Sequence, residues 1–85
     1  MEFEFSKLAI DQMERRYISK ELVISILLQP DSVADQDKTT RIYSKLVDTA
    51  SKIYLYRVFV NQLKNPAIII TAYKTSKIEK YGYKI

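Results

Sequence analysis

The stretch Thr39-Thr40-Arg41-Ile42-Tyr43-Ser44-Lys45-Leu46-Val47 alternates along its length, with Ile42, Ser44 and Leu46 in one series and Arg41, Tyr43 and Lys45 in the other. A period of two marks a strand whose faces meet different surroundings. Asp48-Thr49-Ala50-Ser51 supplies a turn. A second alternating run follows over Ile53–Asn61, setting Tyr54, Tyr56, Val58 and Val60 against Leu55, Arg57 and Phe59. Lys64-Asn65-Pro66 is a second turn. Residues 67–73 read as a third strand, with Ile68, Ile70 and Ala72 on one side and Thr71 and Tyr73 on the other. Short connections favour antiparallel neighbours, so these strands form a meander, with Ser32–Asp35 as the candidate fourth, edge strand.

Upstream the period is helical. Ser6 is placed to cap a first helix, with Phe5, Ala9, Met13 and Arg16 roughly on one face. Arg15-Arg16-Tyr17-Ile18 leads to Ser19, a second N-cap, with Glu21 suited to the positive end of a helix dipole. Leu22, Val23, Ile26 and Leu27 form the stripe of that helix, and Pro30 stops it. The pair has the shape of a helix–turn–helix. A groove-reading helix, however, presents polar and basic side chains, whereas Glu21-Leu22-Val23-Ile24-Ser25-Ile26-Leu27-Leu28 is apolar nearly all round. It is built to be covered. The expected fold is α+β: residues 1–85 as one domain, two N-terminal helices on a three- to four-stranded antiparallel sheet. The close, from Thr75 to Tyr81, reads as a short capped turn or a basic tail.

The 85 residues contain neither His nor Cys, which excludes a disulfide scaffold, a thiolate nucleophile, His-based zinc sites and Ser–His triads. Gly82 is the only glycine, so no glycine-rich phosphate loop exists. Asp31, Asp35 and Asp37 lack the glycine and terminal glutamate of a calcium loop. No metal or cofactor is expected. No apolar run approaches the ~20 residues of a membrane span, and Met1-Glu2-Phe3-Glu4-Phe5 has no basic leader, so the expectation is a cytoplasmic domain away from membranes.

Net charge +4 conceals a division. Residues 1–37 carry eight acids and four bases; residues 38–85 carry ten bases against Asp48 and Glu79. A basic half interleaved with tyrosines suits a polyanion whose bases can stack. If the helices bury the Ile and Val rows, the opposite sheet face inherits Arg41, Tyr43, Lys45, Arg57, Thr71 and Tyr73. Cleaving RNA without His requires a base for the 2′-hydroxyl, a cation for the phosphorane and an acid for the 5′-oxygen. Lys or Tyr among neighbouring cations can move protons, and Arg can clamp phosphate. Arg41, Lys45, Arg57, Tyr73 and Lys74 are therefore the candidate catalytic residues, with Tyr43 and Thr71 as candidate RNA contacts.

The run from Ala9-Ile10-Asp11-Gln12-Met13-Glu14-Arg15-Arg16 through Ile18-Ser19 to Pro30-Asp31 resembles the opening of the family called "domain of unknown function 4258". The close, Ile69-Ile70-Thr71-Ala72-Tyr73-Lys74-Thr75-Ser76-Lys77-Ile78-Glu79-Lys80-Tyr81, is similar to that family's terminal strand and tail. The resemblance covers nearly the whole chain. The family is grouped with RelE-like and BrnT-like ribonuclease toxins. What that implies is an endoribonuclease toxin of a type II toxin–antitoxin pair. Its partners would be mRNA, free or on the ribosome, and an acidic antitoxin, with an oligomer possible in their complex. The matching positions, Arg16, Arg57, Thr71, Tyr73, Lys74, Thr75 and Lys77, add Arg16, Thr75 and Lys77 to the RNA contacts. One position departs: family members commonly carry a His near the start of the first helix, where this chain has Leu8. That leaves a second reading open, a catalytically inactive RNA-binding or protein-interaction module of the same fold.

Overall fold

The computed structural model describes residues 2–83; Met1 and the end of the expected basic tail, Lys84-Ile85, lie outside them. Phe3–Phe5 forms strand β1, Lys7–Arg15 helix α1 and Lys20–Leu28 helix α2. Strands β2 (Ser32–Asp35), β3 (Thr40–Asp48), β4 (Ile53–Asn61) and β5 (Ala67–Thr75) follow, and a 3-10 turn spans Ile78–Tyr81.

Both helix starts form as their residue types dictate. Ser6 accepts a hydrogen bond from the Ala9 N–H at 3.0 Å, and Ser19 accepts from Leu22 at 3.1 Å. Each cap is worth about 1 kcal/mol over alanine. α1 ends at Arg16. The Ile18 N–H then returns to the Met13 carbonyl and the Tyr17 N–H to that of Glu14, while Tyr17 itself takes φ 56°. This paired ending reverses the chain, and it puts buried Ile18 near buried Met13.

The sheet order is β1-β5-β4-β3-β2. It is a five-stranded mixed sheet rather than the expected three- to four-stranded antiparallel one. β2, β3, β4 and β5 pair antiparallel as the meander requires, and Ser32–Asp35 is the outer edge strand. The correction lies at β1, which pairs parallel with β5, Phe3 opposite Ala67 and Phe5 opposite Ile69. Phe5 therefore belongs to a strand and not to the first helix. Three residues are too few for periodicity to separate a strand from a helix lead-in.

α1 and α2 cover one face of the sheet. Their Ala9, Met13, Val23, Ile26 and Leu27 pack with Tyr43, Tyr56, Val58, Val60, Ile69 and Ala72. Val23, Ile26, Val58, Val60 and Ile69 are essentially without exposure, each stabilising the fold by about 1.5–3 kcal/mol. The rows so buried differ in part from the expected ones. Residues opposite one another in an antiparallel pair share a face. Tyr43 stands opposite Val58 and Arg41 opposite Val60, so the Arg41–Tyr43–Lys45 series belongs to the helix-covered face. On β5 a bulge shifts the register between Phe59 and Val60, so that Ile69 rather than Ile68 or Ile70 enters the core.

The second face carries Ile42, Ser44, Leu55, Arg57, Phe59, Thr71 and Tyr73 by the same register. It is not bare. Ile42, Ser44 and Leu55 are buried, as is Ile78 of the 3-10 turn. Gly82 closes that turn at φ 86°, in the left-handed region that glycine enters freely. The tail is thus a turn docked beside Arg57 and Tyr73. No helix among the described residues is long and apolar enough to cross a membrane.

Candidate functional site

β1 pairs with β5 only as far as Ile69, leaving the later β5 edge to other partners. α1 supplies them. Arg16 Nη1 donates to the Ala72 carbonyl at 2.9 Å and to Thr71 Oγ1 at 3.3 Å, and the Thr71 hydroxyl hydrogen-bonds to the Gln12 side-chain oxygen. Gln12 and Arg16 are one helical turn apart, so a single stripe of α1 meets this edge. The result is an open groove of about 600 Å³, lined by Gln12, Arg16, Phe59, Thr71, Tyr73 and Lys74. Lys74 reaches it from the helix-covered face, with its ammonium 5.0 Å from the centre of the Tyr54 ring.

Behind Phe59 and Tyr73 lies a tighter cluster. Arg57 and Tyr73 are opposite in the β4–β5 register, and Arg57 Nη1 donates to Tyr73 Oη at 2.8 Å. Tyr73 Oη lies 3.0 Å from Tyr81 Oη. The guanidinium sits 4.4 Å from the Tyr81 ring centre, 5.4 Å from that of Phe59 and 5.9 Å from that of Tyr73. The Phe59 and Tyr73 rings stack with centroids 6.0 Å apart. A planar cation held between aromatic faces needs no carboxylate to keep it there. Indeed, no ion pair involves Arg57, Arg16, Lys74, Lys77 or Lys80 among the described residues.

The two phenols are pushed in opposite directions. Burial raises Tyr73 above the ordinary tyrosine value, with its Tyr81 hydrogen bond adding to that and Arg57 opposing. The hydrogen bond with Tyr73 lowers Tyr81, helped by the charges of Lys80 and Arg57. The three groups form a hydrogen-bonded relay: Arg57 donates to Tyr73, and the two phenol oxygens share a hydrogen bond in which either can be the donor.

Of the residues selected from the sequence, Arg16, Thr71, Tyr73 and Lys74 meet in the groove, and Arg57 adjoins it through Tyr73. Arg41, Tyr43 and Lys45 do not join them, which corrects the expected single face. Arg41 Nε donates to Asp35 at 2.8 Å and holds that carboxyl below its usual range. Lys45 donates to the Gln29 carbonyl at 2.9 Å, with Asp31 at 4.0 Å. Tyr43 is buried, edge-on to Phe3 at 6.1 Å. Thr75 accepts the Lys77 N–H at 3.1 Å and so shapes the turn after β5, where Lys77 is exposed. Tyr81 was not among the selected residues. Its signal was Ile78, an apolar residue in a polar close, followed by the turn-making Gly82.

No metal-holding group of three His, Cys, Asp or Glu side chains occurs among the described residues, and the chemistry of this region is that of Arg, Lys and Tyr. No family model, curated protein or solved structure matches the chain.

Proposed function

We propose that the chain is an RNA-cleaving enzyme that needs no metal, with the Arg57–Tyr73–Tyr81 relay as its reaction centre and the Arg16–Lys74 groove as its backbone-binding site. The observation that carries this reading is the pair of phenols 3.0 Å apart, one raised and one lowered, beside a guanidinium with no ion pair among the described residues. Such divergent neighbours are how one site supplies both an acid and a base. Tyr81, in its phenolate form, takes the 2′-hydroxyl proton as the 2′-oxygen bonds to phosphorus. Arg57 stabilises the charge on the phosphorane, in the manner of guanidinium–phosphate pairing. Tyr73 gives its proton to the departing 5′-oxygen, leaving a 2′,3′-cyclic phosphate and a 5′-hydroxyl. The proton gained by Tyr81 then returns along the hydrogen bond to Tyr73, which resets the site. The resemblance to RelE-like and BrnT-like toxins extends this to a cytoplasmic toxin acting on mRNA and silenced by an acidic antitoxin.

Incubating the purified protein with end-labelled RNA in EDTA tests it. Cyclic-phosphate products that vanish with Tyr81→Phe are expected. RNA left intact, both free and on translating ribosomes, overturns the reading.

A second reading, RNA binding without cleavage, draws on Leu8. It is 55 % exposed and stands one turn before Gln12 on the α1 stripe that meets the groove. A histidine there would border the groove. Cleavage by Leu8→His together with none by the unaltered chain would favour this reading.

A further inference from the structure

Tyr17 occupies the position at which a helix ending of this kind ordinarily carries glycine. Its φ is 56°, and its N–H and that of Ile18 close the paired ending onto Glu14 and Met13. An L side chain there crowds its own carbonyl, a strain glycine does not have. Packing gives nothing in return. Tyr17 is 91 % exposed, more than any other large apolar side chain among the described residues. Its backbone is thus less favourable than that of a glycine at the same place, and its exposed ring returns no burial to offset this. Folding does not account for a tyrosine here, and an outlier of this sort points to function.

Its neighbours say which function. Arg15 and Arg16 precede it, Lys20 lies three residues on, and the Arg16 side chain lines the groove. The Arg16–Tyr17 peptide is trans, so the two Cα atoms are about 3.8 Å apart. Cationic side chains beside an exposed aromatic ring are the elements that hold a single strand, phosphate on the cation and base on the ring. We infer that Tyr17 is a base-stacking platform at the rim of the groove, receiving a nucleobase of single-stranded RNA whose phosphates Arg16 and Lys74 hold. This rests on the RNA-binding reading above and adds the place where the bound strand runs over the α1–α2 reversal. A stacked ring reads the flat face of a base, so the contact is indifferent to base identity.

The test measures binding of a labelled 2′-O-methyl octanucleotide, which cannot be cleaved, and of inorganic polyphosphate, which has no bases. Tyr17→Gly is expected to weaken the octanucleotide about tenfold and leave polyphosphate unchanged, while raising the melting temperature by about 4 °C. Tyr17→Phe retains octanucleotide binding, because stacking needs the ring and not the hydroxyl. Arg16→Ala weakens both ligands. Octanucleotide binding by Tyr17→Gly equal to that of the unaltered chain overturns the inference and leaves the RNA reading standing. Failure of the unaltered chain to bind the octanucleotide at all overturns both.

Discussion

The Arg57 guanidinium carbon lies 4.4 Å from the centre of the Tyr81 ring, and no carboxylate pairs with it among the described residues. An arginine neutralised by an acid has its N–H groups occupied and its charge cancelled. One held by aromatic faces keeps both for an incoming anion. Arg57 spends one N–H on Tyr73, and no carboxylate among the described residues engages the others.

Replacing Arg57 by Ala should lower RNA cleavage about 10²–10³-fold, the usual effect of removing a principal stabiliser of transition-state charge. Arg57→Lys should not restore it, because a compact ammonium lacks the plane that lies against Tyr81 and the fork that grips phosphate. Single-turnover rates on one labelled RNA decide the matter, with far-ultraviolet circular dichroism to check that the fold persists. Cleavage at the normal rate by Arg57→Ala would remove the guanidinium from the reaction.

The two phenols predict a pH signature. Tyr81 is lowered, so its phenolate forms before that of an ordinary tyrosine, and Tyr73 is raised, so its phenolate forms after. Activity should rise as Tyr81 deprotonates, at lower pH than an ordinary tyrosine, and fall as Tyr73 does, at higher pH than one. The linked stability effects have opposite signs. The Tyr81 contribution is present at high pH and lost as pH falls through its folded value. The Tyr73 contribution is present at lower pH and lost as pH rises through its folded value. Ultraviolet difference titration should therefore lose its earliest-ionising phenol in Tyr81→Phe. Because the groups share a hydrogen bond, Tyr73→Phe should also return Tyr81 toward the ordinary value. Seven tyrosines titrating together in the unaltered chain would be incompatible with this arrangement.

Arg41→Ala and Lys45→Ala should leave RNA cleavage and RNA affinity unchanged. Both side chains stand on the other face of the sheet, one held by Asp35 and the other by the Gln29 carbonyl with Asp31 nearby. A loss of turnover comparable to that of Arg57→Ala would place the reaction on the wrong face.

Ile78 anchors the turn that delivers Tyr81. It is 2 % exposed, and truncation to Ala should destabilise the protein by about 2–5 kcal/mol in urea unfolding. The more telling effect is local. With the turn loosened, Tyr81 should titrate as an ordinary tyrosine and cleavage should fall even at temperatures where the protein stays folded. A variant of unaltered stability would mean that Ile78 is not the anchor.

The helix starts, the three long strands and the edge strand are written in the sequence, because Ser6, Ser19, Pro30 and the alternation in β3–β5 act locally. Which face each series occupies is not. Alternation separates Tyr43 from Ser44 but does not say which is inward. Here Tyr43 fills the helix-covered core, and the charges beside it find Asp35, Asp31 and a carbonyl in or next to β2. The bulge at Phe59/Val60 is likewise a pairing event that leaves no mark in a residue count. The part of the site carried on β5 was legible for the same reason the strand was: Thr71 and Tyr73 alternate. Arg16 came from the resemblance, and nothing local says that its guanidinium reaches Ala72, 56 residues on. Tyr81 depends on a turn folding back across β4 and β5, a tertiary event.

The parallel pairing of Phe3 with Ala67 has a consequence in time. β1 has no partner while the helices, β2, β3 and β4 emerge from the ribosome, and β5 cannot be secured on that side until most of the domain exists. Tyr81 emerges later still. Contacts this distant in sequence close late. The groove edge and the relay therefore come together only after the rest of the fold, and any activity that needs Arg57, Tyr73 and Tyr81 side by side is withheld from the emerging chain until then.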